Sequence, residues 1–217
     1  LSERLPHARI EVARVVNRGR DLAPFFVEFG RELIKYDYIC HIHTKRSLHK
    51  QHGDKWRKYL LDSVLGSPYC VYQILRGMSS YGCGLSYPQA HESIAELIKR
   101  NGWGSDKEFF IAQELSNRLG AEKPSSKMFS AFPSGSFFWI TSDVLRSFVE
   151  LDWKVEDFDE EQRQIDGTLA HVVERMLGYF NNKSGRKALV TINQYEEARP
   201  LSQICDAARS KPRIIAF

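Results

Sequence analysis

The fold turns on the stretch "ARIEVARVVNRGRDLAPFFVEFGRELIKYDYICHIHT", Ala8 to Thr44. Ile10, Val12 and the pair Val15–Val16 give "ARIEVARVV" (Ala8–Val16) the alternation of a half-buried strand, which stops at the turn letters "NRGRD". "APFFVEFGRELIKY" (Ala23–Tyr36) follows, with Pro24 where the first turn of a helix accepts proline. "DYICHIHT" (Asp37–Thr44) is again short and β-rich. Strand, helix and strand in so short a span predict a βαβ unit and a parallel sheet. Both strand ends then lie on one side, with Asn17 and His43 near the same edge.

Outward from this unit, helices and strands continue to alternate. Trp56, Tyr59, Leu60, Ser63 and Val64 recur at helical spacing in "DKWRKYLLDSVLG", which Gly66 ends. A second helix is expected from Pro68 to about Met78, a strand in "YGCGLSYP" (Tyr81–Pro88) and a helix in "ESIAELIKR". Ser105 and Glu108 have capping-box spacing, so "SDKEFFIAQELSNRLG" reads as a helix with Gly120 at its stop. "KMFSAFPSGSFFWI" holds two β-like halves around Pro133, Ser134 and Gly135, and "SDVLRSFVE" a short helix. From Ile165, the residues Leu169, Val172, Val173, Met176 and Phe180 mark a long amphipathic helix, and "ALVTI" a last strand before a charged tail. There is no internal repeat. The organisation expected is one domain over residues 1–180, followed by a strand and charged tail over 181–217.

Composition bounds the function. The chain of 217 residues is long enough for one buried core, and 42% hydrophobic with 27% charged residues is ordinary globular content. No apolar run approaches the roughly 20 residues of a membrane span, and no signal-peptide pattern opens the chain. A formal charge of +4 favours polyanionic partners or an anionic leaflet, without marking a dedicated nucleic-acid binder. Cys40, Cys70, Cys83 and Cys205 form no C-x-x-C pair and read as reduced thiols of a cytoplasmic protein. Leu1 is not a methionine, so the chain reads as a piece of a longer protein.

Four segments could carry chemistry, each with a bland alternative. In "NRGRDLAPFF", Asn17 stands where open α/β sheets place ligands, Gly19 permits close backbone approach, and Arg18 and Arg20 suit phosphates; a solvated turn explains it equally. "HIHTKRSLHK" gathers His41, His43, Lys45, Arg46, His49 and Lys50, a density that suits an anion or a solvated basic loop. His41 and His43 share a strand face, yet two imidazoles without a nearby carboxylate make a weak metal site, so no metal is expected. In "DFDEEQRQIDGTLAHVVER", Asp166 is either a general base or the helix cap, and His171 and Arg175 form an i,i+4 pair away from the apolar stripe. Asp157, Asp159, Glu160 and Glu161 are reserve carboxylates. "FPSGSFFWI" offers aromatic rings on which a sugar could stack, or plain core.

The order and spelling of "NRGRDLAPF", "YDYICHIHTKRS", "GDKWRKYLLDSVLGS", "FPSGSFFWI" with "SDVL", and "QIDGTLAHVVER" resemble the rhamnan synthesis protein F family of bacterial polysaccharide assembly. The five stretches run from Asn17 to Arg175 in the family's order. The resemblance implies a GT-A-like (Rossmann-like) glycosyltransferase with a mainly parallel sheet flanked by helices. It also implies that the first strand, upstream of "NRGRD", is missing, leaving the nucleotide-base pocket incomplete. "HIHTKRS" stands where metal-dependent relatives keep an Asp-x-Asp motif, so His43, Lys45 and Arg46 would neutralise the leaving diphosphate directly. The implied reaction is inverting transfer of rhamnose from dTDP-rhamnose to a lipid-linked glycan at the inner face of the cell membrane, with peripheral membrane association. Donor-binding residues are then Asn17, Gly19, Arg20, Asp21, His43, Lys45 and Arg46. Asp166 is the base, and Gly135, Ser136 and Trp139 line the acceptor side. Two rivals remain: a transferase-like module that binds glycan or nucleotide without turnover, and a basic adaptor that docks through "HTKRSLHK".

Overall fold

Every residue of Cys83–Pro88 is buried, as in a strand covered on both faces. The computed structural model describes residues 9–44, 53–162, 164–192 and the backbone of 214–216, and arranges them around this strand. In chain order the elements are α1 (Leu22–Val27), α2 (Gly30–Leu33), β1 (Tyr38–His41), α3 (Gly53–Leu65), α4 (Pro68–Tyr81) and β2 (Cys83–Pro88). There follow α5 (Glu92–Asn101), α6 (Asp106–Arg118), β3 (Phe138–Thr141), α7 (Ser142–Val149), a 3-10 turn at Val155–Asp157, α8 (Leu169–Lys183), β4 (Lys187–Thr191) and β5 (Ile214–Ala216).

The protein is α/β, but its sheet is mixed and not the mainly parallel one expected. Strand order is β1-β3-β2-β4-β5. Only β2 and β4 pair in parallel; β1–β3, β3–β2 and β4–β5 are antiparallel. The expectation fails at its first step, because residues 9–16 form no strand and Ala8 lies outside the described residues. Val12 is 90% exposed, so its alternation faces water instead of a neighbouring strand. Without that strand there is no crossover to set β1 parallel to anything beside it. Instead β3 runs back along β1, pairing Tyr38 with Thr141 and His41 with Phe138. Since β3 reverses between them, β1, β2 and β4 nonetheless point the same way, and their C-terminal ends share one edge with the start of β3.

Three layers follow from which faces are apolar. Phe138 and Ile140 of β3, with Ile39 and Leu85, join one core with α1, α6, α7 and α8. On the opposite face, Trp139 packs with Tyr59, Leu60 and Val64 of α3 and with Ile74 and Met78 of α4. Burying each such large side chain contributes about 1.5–3 kcal/mol. Local signals place the helices. Ser105 and Glu108 close the expected capping box on α6. Ser67 caps α4 ahead of Pro68. The single helix expected over Ala23–Tyr36 is instead the two short helices α1 and α2. The first half of "KMFSAFPSGSFFWI" is no strand; Phe129 packs against Trp103, Phe132 and Tyr179 instead.

Candidate functional site

The turn before α1 is shaped by a glycine that has no substitute. Gly19 has φ +64°, and a Cβ there would come within 2.4 Å of Ala23 Cβ and 2.6 Å of Phe158 Cβ. Its N–H donates to the Asp159 carbonyl at 3.1 Å, while Arg18 pairs with Glu160 at 3.3 Å. Arg20 is also left-handed, with φ 59°, and its guanidinium touches His171 Nε2. At the other ring nitrogen, the Thr168 N–H donates to Nδ1 at 3.3 Å and the Thr168 hydroxyl lies 2.7 Å from it. Burial, and then the charge of Arg20, push the His171 pKa down to about 4. The ring is therefore neutral at physiological pH. Asn17 is exposed at the head of the turn.

At the C-terminal end of β1 two histidines meet one tight turn. His41 Nδ1 donates to the Ser136 carbonyl at 2.5 Å and His43 Nε2 to the Gly135 carbonyl at 2.9 Å. The strand's alternation puts both on the same side, as expected. Gly135 (φ +92°) and Ser136 (φ 57°) are both left-handed. From behind, Glu174 Oε1 accepts from Gly135 N–H at 2.8 Å and from Ser136 Oγ at 3.0 Å. Burial raises the Glu174 carboxyl above the usual carboxylate range; the nearby charge of Asp21 adds to this and Arg175 opposes it. Asp21 Oδ2 lies 3.8 Å from His41 Nε2. Burial lowers the His41 pKa despite that carboxylate.

Asp166 does not cap the helix. Thr168 is the N-cap residue, and Asp159 Oδ2 accepts from Leu169 N–H at 2.8 Å. Asp166 instead binds Arg175 through both oxygens, at 3.1 and 2.7 Å. Burial works against its charge, but the hydrogen bonds and charge of Arg175 prevail and hold its pKa low. Arg175 also donates to the carbonyls of Gly102 and His171, with Glu108 at 3.9 Å. Burial, opposed by backbone hydrogen bonding at Ser105 and reinforced by Asp166, raises the Glu108 carboxyl. His171 and Arg175 are thus buried, not solvated, because α8 is enclosed on nearly every side.

The residues singled out in the sequence separate into groups. Arg20, Asp21, His43, Gly135, Ser136 and Asp166 converge around the first half of α8. Trp139 does not join them; it lies under α3, its Nε1 donating to the Val64 carbonyl at 3.1 Å. Lys45 and Arg46 lie outside the described residues. Among the reserve carboxylates, Asp157 accepts from Lys154 N–H and Glu160 faces Arg18. Glu161 lies close enough for its charge to act on His171. Among the described residues no three His, Cys, Asp or Glu side chains are arranged to hold one metal ion. Sequence reading missed Glu174, and saw Glu108 only as the capping-box partner of Ser105, not as a neighbour of Arg175. For Glu174 a signal existed: the charged pair Glu174–Arg175 interrupts an otherwise apolar helix.

A family model described as rhamnan synthesis protein F matches residues 3–185, which include every site residue above. The chain belongs to the rhamnan synthesis protein F family. Membership points to a role in rhamnan or related polysaccharide synthesis. Two strains of Xanthomonas campestris pv. campestris each carry a relative, "Uncharacterized protein WxcX", 35% identical over 187 residues. The alignment covers 85% of this chain but 25% of the relative, so the chain spans about a quarter of the length of the curated relatives it matches. No solved structure matches it significantly. Among the described residues no helix is long and apolar enough to cross a membrane.

Proposed function

We propose that this rhamnan synthesis protein F domain is a glycosyltransferase that moves rhamnose, with inversion, from dTDP-rhamnose to a lipid-linked glycan at the cytoplasmic face of the membrane. One observation carries the reading. Arg20, with no carboxylate within ion-pair distance among the described residues, lies against His171, whose other ring nitrogen is 3.9 Å from Asp166; two carboxyls of the same region are pushed in opposite directions, Asp166 down and Glu174 up. Such divergent pairs suit acid–base chemistry. A GT-A-like placement is supported by the site's position at the C-terminal ends of β1, β2 and β4.

In this reading the acceptor hydroxyl attacks the anomeric carbon on the face opposite the diphosphate, and the bond from that carbon to the diphosphate oxygen breaks. Arg20, together with Lys45 and Arg46, which follow His43 in the sequence, neutralises the leaving diphosphate. Asp166, ionised at neutral pH, takes the hydroxyl proton. A second reading gives that role to Glu174, because its Oε2 makes no hydrogen bond among the described residues and its raised pKa makes it the stronger base.

The test is transfer from dTDP-rhamnose by the full-length protein and its Asp166→Asn and Glu174→Gln variants. Loss of the base costs about 10²–10⁴ in turnover with donor affinity kept. Loss confined to Asp166→Asn supports the first reading, and loss confined to Glu174→Gln the second. Wild-type protein that binds the donor but neither transfers nor hydrolyses it makes this a binding module and ends the enzyme reading.

A further inference from the structure

At the end of β1, acceptor atoms crowd together with no donor among the described residues. Asp21 Oδ2 and His43 Nδ1 are buried and make no hydrogen bond to any of them. His43 spends its Nε2–H on the Gly135 carbonyl, so in the neutral ring Nδ1 is a bare lone pair. His41 spends its Nδ1–H on the Ser136 carbonyl, so its Nε2 lone pair faces Asp21 Oδ2 across 3.8 Å, acceptor toward acceptor. The two rings lie 6.3 Å apart between centroids. Protonating His41 would close the gap from within, but its burial disfavours the charged form. Buried acceptors left unmet are costly and each calls for a donor.

We infer that Asp21, His41 and His43 form a hydroxyl-reading corner for the sugar ring of the donor, neighbouring ring hydroxyls donating to Asp21 Oδ2 and to the imidazole lone pairs. The inference rests on the glycosyltransferase reading and divides the donor between two consecutive residues. A diphosphate offers only acceptors and is repelled from this corner, whereas Arg20 offers only donors. The turn therefore sorts the ligand, phosphate toward Arg20 and sugar toward Asp21. That moves Asp21 from shaping the turn to reading the sugar, and moves His43 away from the diphosphate. Two imidazoles and a carboxylate could also suggest a cation, but the described side chains lack the arrangement of a metal site.

Calorimetric titration of the full-length protein with dTDP-rhamnose and with dTDP, in EDTA, tests the corner. Asp21 makes no capping hydrogen bond to α1, so Asp21→Ala removes the acceptor at little cost to the helix, and Asp21→Asn controls for shape. Losing a charge-assisted hydrogen bond to a sugar hydroxyl weakens dTDP-rhamnose about tenfold or more. Affinity for dTDP should stay within about twofold. Equal weakening of both ligands, or of neither, overturns the corner while leaving the donor reading intact. An affinity gain from manganese that Asp21→Ala abolishes makes it a cation site and overturns it too. Wild-type protein that binds neither nucleotide overturns the donor reading and the corner together.

Discussion

On one flank of α8, Arg175 meets Asp166 at 2.7 and 3.1 Å and Glu108 at 3.9 Å. One residue earlier, Glu174 hydrogen-bonds, among the described residues, to a backbone amide and a serine hydroxyl. The first flank is close to electrically complete: a buried guanidinium faces carboxylates and two carbonyls, and every one of its nitrogens donates to at least one of them. The second carries a carboxyl raised by burial and, beyond the turn it grips, the unpaired acceptors of Asp21 and His43. Buried groups left without a partner call for one, whether water or a ligand supplies it.

Four measurements press on this contrast, taken from the largest expected effect. Arg175→Met leaves two carboxylates without their cation and should cost about 3–5 kcal/mol. That is a fall of roughly 6–20 °C in melting temperature by circular dichroism; a fall of only a degree or two breaks the contrast. Next is acid sensitivity at His171. Its folded pKa of about 4 lies below the ordinary 6.5, so the unfolded chain binds the extra proton. Stability is therefore lost as pH falls from 6.5 toward 4, by up to about 3 kcal/mol, and His171→Gln should lack that loss. Third, Asp166→Asn halves the partnership of Arg175 and should cost about 1–3 kcal/mol, so turnover must be compared well below its melting point.

Glu174→Gln gives the smallest shift, about 1 kcal/mol or less, since an amide oxygen still accepts from Gly135 and Ser136. Its sign changes with pH. A raised carboxyl pKa means the native state holds a proton that the unfolded chain has released, so wild-type stability declines as pH rises above the ordinary 4.5. The variant lacks that decline and should gain on wild type as pH rises above 4.5 in denaturant titrations. A constant gap over that range would place the Glu174 carboxyl outside the raised class.

Local rules carried the helices and the buried strand. Ser105 with Glu108, Ser67 with Pro68, and the spacing of Trp56 to Val64 act within a few residues of themselves, so they are legible in the chain. The β-like run before Asn17 misled because Ile10 and Val12 alternate identically whether or not a neighbouring strand exists to receive them. Its failure carried the parallel sheet with it. The site was half legible. Gly19, Gly135 and the histidines announce themselves by type, whereas the role of Glu174 depends on a turn 39 positions away. The pairing of Asp166 with Arg175 escaped because Asp166 precedes the helix, where no helical row applies.

The Gly135–Ser136 turn ties distant choices together. Its two carbonyls hold imidazoles 92 and 95 positions away, and one oxygen of Glu174 holds the turn itself. A ligand that displaces either ring pulls on the same loop and alters how well that carboxyl is solvated. Sugar preference and proton affinity then become linked traits. Evolution of a new donor specificity would have to travel through coordinated changes at several positions, and a library that randomises one of them alone would mostly sample broken intermediates.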